Sequence, residues 1–158
     1  MIQLSYSNTS PPDVPSASIE FPLLKKVTAF GVIEDALIPA TLHTRHGPLG
    51  IQFILDTGAD FTMLPHHMAD LVGVDLTRAP SGRSMGIEGG HGIPIWLGHI
   101  TVTIGSSLLR LRCLFSSNER TPYLLGRADV FSAFLITFDT PRSRIRLTPR
   151  QSPALQRQ

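Results

Sequence analysis

The sequence predicts an all-β fold in one domain, accompanied by two short helices. Three observations carry that prediction. Apolar residues recur in short runs bounded by turn residues, 13 glycines and 13 prolines punctuate the 158-residue chain, and few long stretches keep an uninterrupted helical period. A chain of this length holds one domain with a substantial core and is too short for two of ordinary size. Its composition, 42% hydrophobic and 16% charged, suits a globular protein rather than a disordered one.

Residues 1–20 are rich in Ser, Pro and Asn, including Ser10-Pro11-Pro12, and are expected to form a flexible arm. The folded unit is expected over 21–148, with a polar tail over 149–158. Leu37 to His43 and Leu49 to Leu55 read as paired strands joined by the turn Arg45-His46-Gly47-Pro48. Pro65 opens a short helical stretch that runs through His66-His67 to Val72, and Gly73 is its stop. From Ser84 to Ile95 two apolar arms enclose a glycine-rich tip, and a strand continues to Ile104. Leu108 to Phe115 is a further strand. Leu124-Leu125-Gly126 leads into a second helix, from Ala128 to Phe134. A hairpin ends the unit, with arms Leu135 to Asp139 and Arg144 to Leu147 turning at Pro141.

Composition and spacing exclude several functions. No apolar run approaches about 18 residues, so no membrane partner is expected. The N-terminus has no basic start followed by an apolar stretch, so a cytoplasmic location is expected. The isoelectric point near 9.1 invites a nucleic-acid reading, because from Arg110 onward nine arginines face only three acids, Glu119, Asp129 and Asp139. Phosphate binding needs a continuous basic face with aromatics nearby, and here only Phe138 is close, so no nucleic acid is expected. Cys113 is the sole cysteine; it permits no intrachain disulfide and reads as a buried, inert thiol on a strand. His66-His67 and the pair His43 and His46 lack zinc-site spacing with a third ligand, so no metal and no cofactor are expected. Gly89-Gly90-His91-Gly92 lacks the Lys-Ser/Thr that completes a phosphate-cradling loop.

The sharpest chemical signal is Asp56-Thr57-Gly58. The apolar run Phe53-Ile54-Leu55 places Asp56 at the end of a buried strand, where its carboxylate is poorly solvated, and Gly58 allows a tight turn. On these residues alone, an Asx-type turn closing a strand explains the triplet equally well. The segment also has an internal echo. Phe53 to Asp60 can be laid over Tyr123 to Asp129: each is an apolar strand end running into a Gly and then a helix, and the second copy lacks the Asp-Thr pair. This is the pattern of a pseudo-symmetric domain in which one half keeps the reactive group.

With these pieces in order, the chain resembles the retropepsin-like aspartic peptidases. Ile54 to Asp60 is similar to the family's catalytic loop, Met85 to Ile95 to its glycine-rich flap, and Leu124-Leu125-Gly126-Arg127 to its second loop before the closing helix. The segment before Leu37 and the Arg-rich final hairpin match less well. The resemblance implies a closed β barrel of the retropepsin-like acid protease fold with one lobe per chain. It also implies an aspartic endopeptidase that hydrolyses a polypeptide substrate with water as nucleophile. The chemistry needs two carboxyls sharing one proton, and the chain has one Asp-Thr-Gly, so the second is expected from Asp56 of a homodimer partner.

By the same resemblance, Asp56, Thr57 and Gly58 form the catalytic set, with the Thr57 hydroxyl bonding across the dimer. Ala59, Asp60, Ile87, Gly89, Gly90 and His91 would meet substrate, the last four from the flap. Gly126 and Arg127 would give structural support, with Arg127 pairing to Asp60, a pair that a purely structural role would equally explain. Ala59 cannot donate a hydrogen bond to an ionised carboxylate as a hydroxyl could, so an activity optimum less acidic than in relatives with Ser there is expected. The alternative is a catalytically silent module that keeps this fold to bind extended peptides or to dimerise.

Overall fold

The computed structural model describes residues 17–85 and 92–150. In chain order its strands are β1 (Ile19–Pro22), β2 (Leu24–Thr28), β3 (Gly31–Asp35), β4 (Leu37–Thr44), β5 (Gly47–Leu55) and β6 (Thr62–Pro65), followed by helix α1 (Met68–Val72). Then come β7 (Ser81–Ser84), β8 (Ile93–Ile104), β9 (Ser107–Ser116) and β10 (Leu124–Leu125). Helix α2 (Val130–Ala133), β11 (Phe134–Asp139), a 3-10 turn (Thr140–Arg142) and β12 (Arg144–Pro149) end the described chain.

The strands β4-β5-β10-β6-β9-β8 pair in that order, and β8 returns to β4 through Thr41 opposite Thr103 and Leu42 opposite Val102. The result is a closed barrel, as the family resemblance implies, and it has six strands. Alternation fills it: on β8, Ile100, Val102 and Ile104 point inward, while His99 is exposed and Thr101 and Thr103 are half-buried. Ile38, Leu42, Phe53, Leu64 and Phe115 meet them from the other strands. The chain on either side of the glycine-rich tip pairs, but the first arm is the polar β7, before the apolar stretch the sequence suggests, with Ser84 opposite Ile93 at the start of β8. Helix α1 is shorter than the sequence suggests. Pro65 completes β6 and His66-His67 form a turn, so the helix starts at Met68, while Gly73 ends it in the left-handed conformation (φ 81°).

Two features lie outside the barrel. β1, β12 and β11 form a separate three-stranded sheet in that order, leaving β11 as an edge. β1 draws Ile19 and Glu20 into this sheet, two residues that composition assigns to the arm, because Glu20 pairs with Arg146 both in the ladder and through its side chain (2.8 Å). The rest of the arm (1–16) and most of the tail (151–158) lie outside the described residues.

The β2–β3 hairpin is also separate, and no pattern in residues 24–35 announces it. Its root is fixed by Leu23 N–H to Ser143 O (2.8 Å), by Leu55 N–H to Ala36 O (2.9 Å) and by the Ser143 hydroxyl to Glu34 (2.6 Å). Beyond that root, Val27, Phe30 and Val32 face solvent.

Candidate active site

β5 and β10 run parallel as neighbours, Ile54 opposite Leu124 and Leu55 opposite Leu125, so the two halves of the sequence echo lie side by side. Ile54 N–H donates to Tyr123 O at 2.8 Å and Asp56 N–H to Leu125 O at 3.0 Å. Asp56 therefore leaves the barrel at a point fixed from both sides. The chain turns at once: Ala59 N–H bonds to Asp56 O (3.2 Å), and the Asp56 carboxylate accepts the Gly58 N–H (2.9 Å). Asp56 is half-buried, and Thr57 is exposed.

Two further backbone bonds interlock this loop with the second one, Arg127 N–H to Ala59 O (2.9 Å) and Ala128 N–H to Asp60 O (2.8 Å). The Arg127 guanidinium donates to the Asp60 carboxylate, joining the two residues that the sequence singles out. Gly126 sits at the crossing, where its N–H faces the buried Thr62 hydroxyl (3.3 Å).

Asp56, Gly58, Ala59 and Asp60 line one side of a cavity of about 760 Å³. Arg83, Ser84 and Met85, from the arm before the tip, line another side. The floor is apolar, made by Met63, Leu114 and Leu124 with Phe61 at one end. Of these floor residues the sequence motifs single out only Leu124, and they miss Phe61, Met63 and Leu114. Their signal is the outward phase of β6 and β9, visible once Thr62 opposite Cys113 sets which residues face the core. Ile87, Gly89, Gly90 and His91 lie outside the described residues.

A second groove, about 460 Å³, runs between Thr57 and the edge strand β11, with Phe131, Leu135 and Phe138 along it. A third cavity, about 430 Å³, lies by Arg45, His66, His67 and Asp75 and includes no residue of the Asp56 loop. There His67 bonds Glu119, which holds that carboxyl below the usual range, and the edge of the His66 ring meets Trp96 at 5.2 Å between centroids. Among the described residues no group of three or more His, Cys, Asp or Glu is placed to hold a metal ion. Cys113 is fully buried on the core side of β9, and burial pushes its thiol far above the ordinary value. In the final hairpin Arg142 pairs with Asp139 and Arg146 with Glu20.

The barrel and its two crossed loops give the chain the retropepsin-like fold. A retropepsin-like aspartic protease from Rickettsia conorii superposes with a TM-score of 0.59 at 19% identity, over 84% of this chain and 92% of that one. The chain is also similar to EIAV protease complexed with the inhibitor HBY-793 (TM-score 0.40, 21% identity, 59% of this chain and 82% of that one). A third similarity is to the retroviral protease-like domain of Ddi1 from Leishmania major (TM-score 0.49, 14% identity, 77% and 98%). No protein-family model matches the sequence, and no curated protein matches it. Among the described residues no helix is long and apolar enough to cross a membrane.

Proposed function

We propose that the protein is an aspartic endopeptidase that cleaves extended polypeptides and is active as a homodimer. The observation that carries this reading is the half-buried Asp56 carboxyl on the wall of the 760 Å³ cavity. Among the described residues Asp60 is the other carboxylate lining that cavity, and it is paired with Arg127. The missing carboxyl is then the partner's Asp56, brought to about 3 Å by a two-fold axis beside Thr57.

The surface around Thr57 supports that arrangement. Among the described residues β11 is an edge strand, and Phe131, Leu135 and Phe138 on or beside it are 37, 53 and 47% exposed. Such an edge is a ready template for another strand, and the apolar groove gives a second copy an area to bury. Thr57 is exposed on this surface, where its hydroxyl would bond across the axis.

In the reaction, one carboxyl of the pair is ionised and takes a proton from water, while the other is protonated and donates to the peptide carbonyl. The water oxygen bonds to the carbonyl carbon and gives a tetrahedral diol. Return of a proton to the amide nitrogen breaks the C–N bond and releases an acid and an amine. The substrate lies extended along the apolar floor of Met63, Leu114 and Leu124.

Asp56→Asn tests the reading. Cleavage should vanish while circular dichroism and melting remain those of the wild type. Unchanged cleavage would refute it. A wild type that binds peptides and cuts none would establish the silent module instead. Specific activity should also fall on dilution as dimers part, and a flat response would remove the dimer.

A further inference from the structure

The cleft floor continues past Asp60 to an aromatic end whose side chain is held by an ionic clamp. β6 and β9 are parallel, with Thr62 opposite Cys113 and Met63 opposite Leu114. Thr62 and Cys113 therefore face the core, and Met63 and Leu114 face the cavity. One step further out in the same phase stand Phe61 and Arg112. Phe61 is half-buried and lines the cavity, and the Arg112 guanidinium carbon lies 5.4 Å from the centroid of its ring.

Arg112 is itself immobilised. Asp129 accepts from the Arg112 backbone N–H (2.8 Å), from Nε (3.1 Å) and from Nη2 (3.0 Å). Asp129 keeps a left-handed backbone (φ 67°), a conformation that a residue other than glycine holds only when its surroundings fix it. The clamp has two consequences. One side of the Phe61 ring is covered by the guanidinium, which favours the ring's position in the cleft. The Arg112 charge is also paired with Asp129, as Asp60 is with Arg127, so the charged groups nearest Phe61 already have opposite partners.

We propose that Phe61 is a specificity-determining residue, the wall of a subsite that accepts a large apolar substrate side chain, and that Arg112, clamped by Asp129, is its positioning residue. The proposal rests on the peptidase reading given above. A charged substrate side chain placed there would lose water without gaining an opposite charge, and is rejected. An aliphatic or aromatic one buries its surface against the ring and against Met63.

Proteome-derived tryptic peptides digested by wild type, Phe61→Asn and Phe61→Leu, and read by mass spectrometry, test this. Wild type should enrich Phe, Leu, Tyr or Met at one fixed position from the cut. Phe61→Asn should lower that enrichment roughly 10- to 100-fold while preferences at the other positions stay as they were. Phe61→Leu should keep most of it. Arg112→Ala should raise KM, with kcat unchanged, only for peptides apolar at that position, and Arg112→Lys should restore part of the loss. Unchanged selectivity in Phe61→Asn overturns the proposal, as does an equal loss on all peptides.

If Phe61→Asn does not fold, Phe61→Val reads the same wall. It deepens the subsite and must shift the preference towards Tyr and Trp; no shift overturns the proposal. If wild type cuts nothing, binding of arrayed peptides to the Asp56→Asn protein separates the two readings. A Phe61-dependent apolar preference keeps the subsite while the peptidase falls. Binding indifferent to Phe61, or no binding, overturns the subsite as well.

Discussion

Gly126 stands against the carbonyl of Phe61, so close that a Cβ on Gly126 would lie 2.3 Å from both the carbon and the oxygen of that group. The two loops cross at this point, and backbone, not a movable side chain, fills the space. Gly126→Ala must push the loops apart and should cost about 1–3 kcal/mol, the range for overpacking a tight site. A urea titration of the variant checks it, and an unchanged midpoint would show that the crossing is loose. Peptide cleavage should fall as well, because Arg127 moves with Gly126.

The edge strand gives a separate test of assembly. Leu135 is half exposed beside Thr57 and outside the barrel core, so Leu135→Lys leaves folding intact. A lysine on each copy would face its twin across the axis, and edge lysines discourage strand pairing. Sedimentation should show a monomer and cleavage should be lost. A monomeric variant with full activity would disprove the shared site.

Acid should act on the Arg112–Asp129 clamp. The hydrogen bonds from Arg112 hold the Asp129 carboxyl below its ordinary range, with burial opposing. A carboxyl lowered in this way holds its proton less tightly when folded than when unfolded. Its stabilisation is therefore present above the unfolded value and lost as pH falls through the lower, folded one. Asp129→Asn should be less stable than wild type near pH 6, and the two urea midpoints should converge below about pH 4. A constant gap across that span would mean that the charge contributes nothing.

Ala59 offers a test of the chemistry itself. The turn brings residue 59 back over Asp56, with Ala59 N–H on Asp56 O at 3.2 Å. A hydroxyl added there can donate to the ionised carboxyl and favour the charged form. The pH–rate profile of Ala59→Ser should therefore shift to more acidic pH. A shift towards neutrality would contradict the arrangement.

Much of this architecture is legible in the chain because it is local. Strands β4, β5, β8 and β9 are apolar-rich runs bounded by turn residues, and Gly73 and Gly126 mark real ends. The remainder depends on distant partners. β1 is four residues long and is a strand only because β12, more than a hundred residues away, pairs with it. β7 is Ser-Gly-Arg-Ser, a loop by composition, and becomes a strand through its ladder with β8. The β2–β3 hairpin mixes charged and apolar residues on both faces, so no period betrays it. At the site, the Asp56 loop and the Asp60–Arg127 pair are readable from motifs. Phe61 and its clamp are not, because Arg112 and Asp129 become neighbours only when β9 passes the start of α2.

Cys113 turns the barrel into its own gauge. The sulfur is sealed between β6 and β8, inside the wall of strands. A maleimide added to the native protein has nothing to react with until those strands separate, so the labelling rate counts how often the barrel opens. Urea or heat should accelerate it in step with unfolding, and a ligand that grips the folded form should slow it. Air oxidation, for the same reason, should yield no covalently linked pairs while the barrel stays shut.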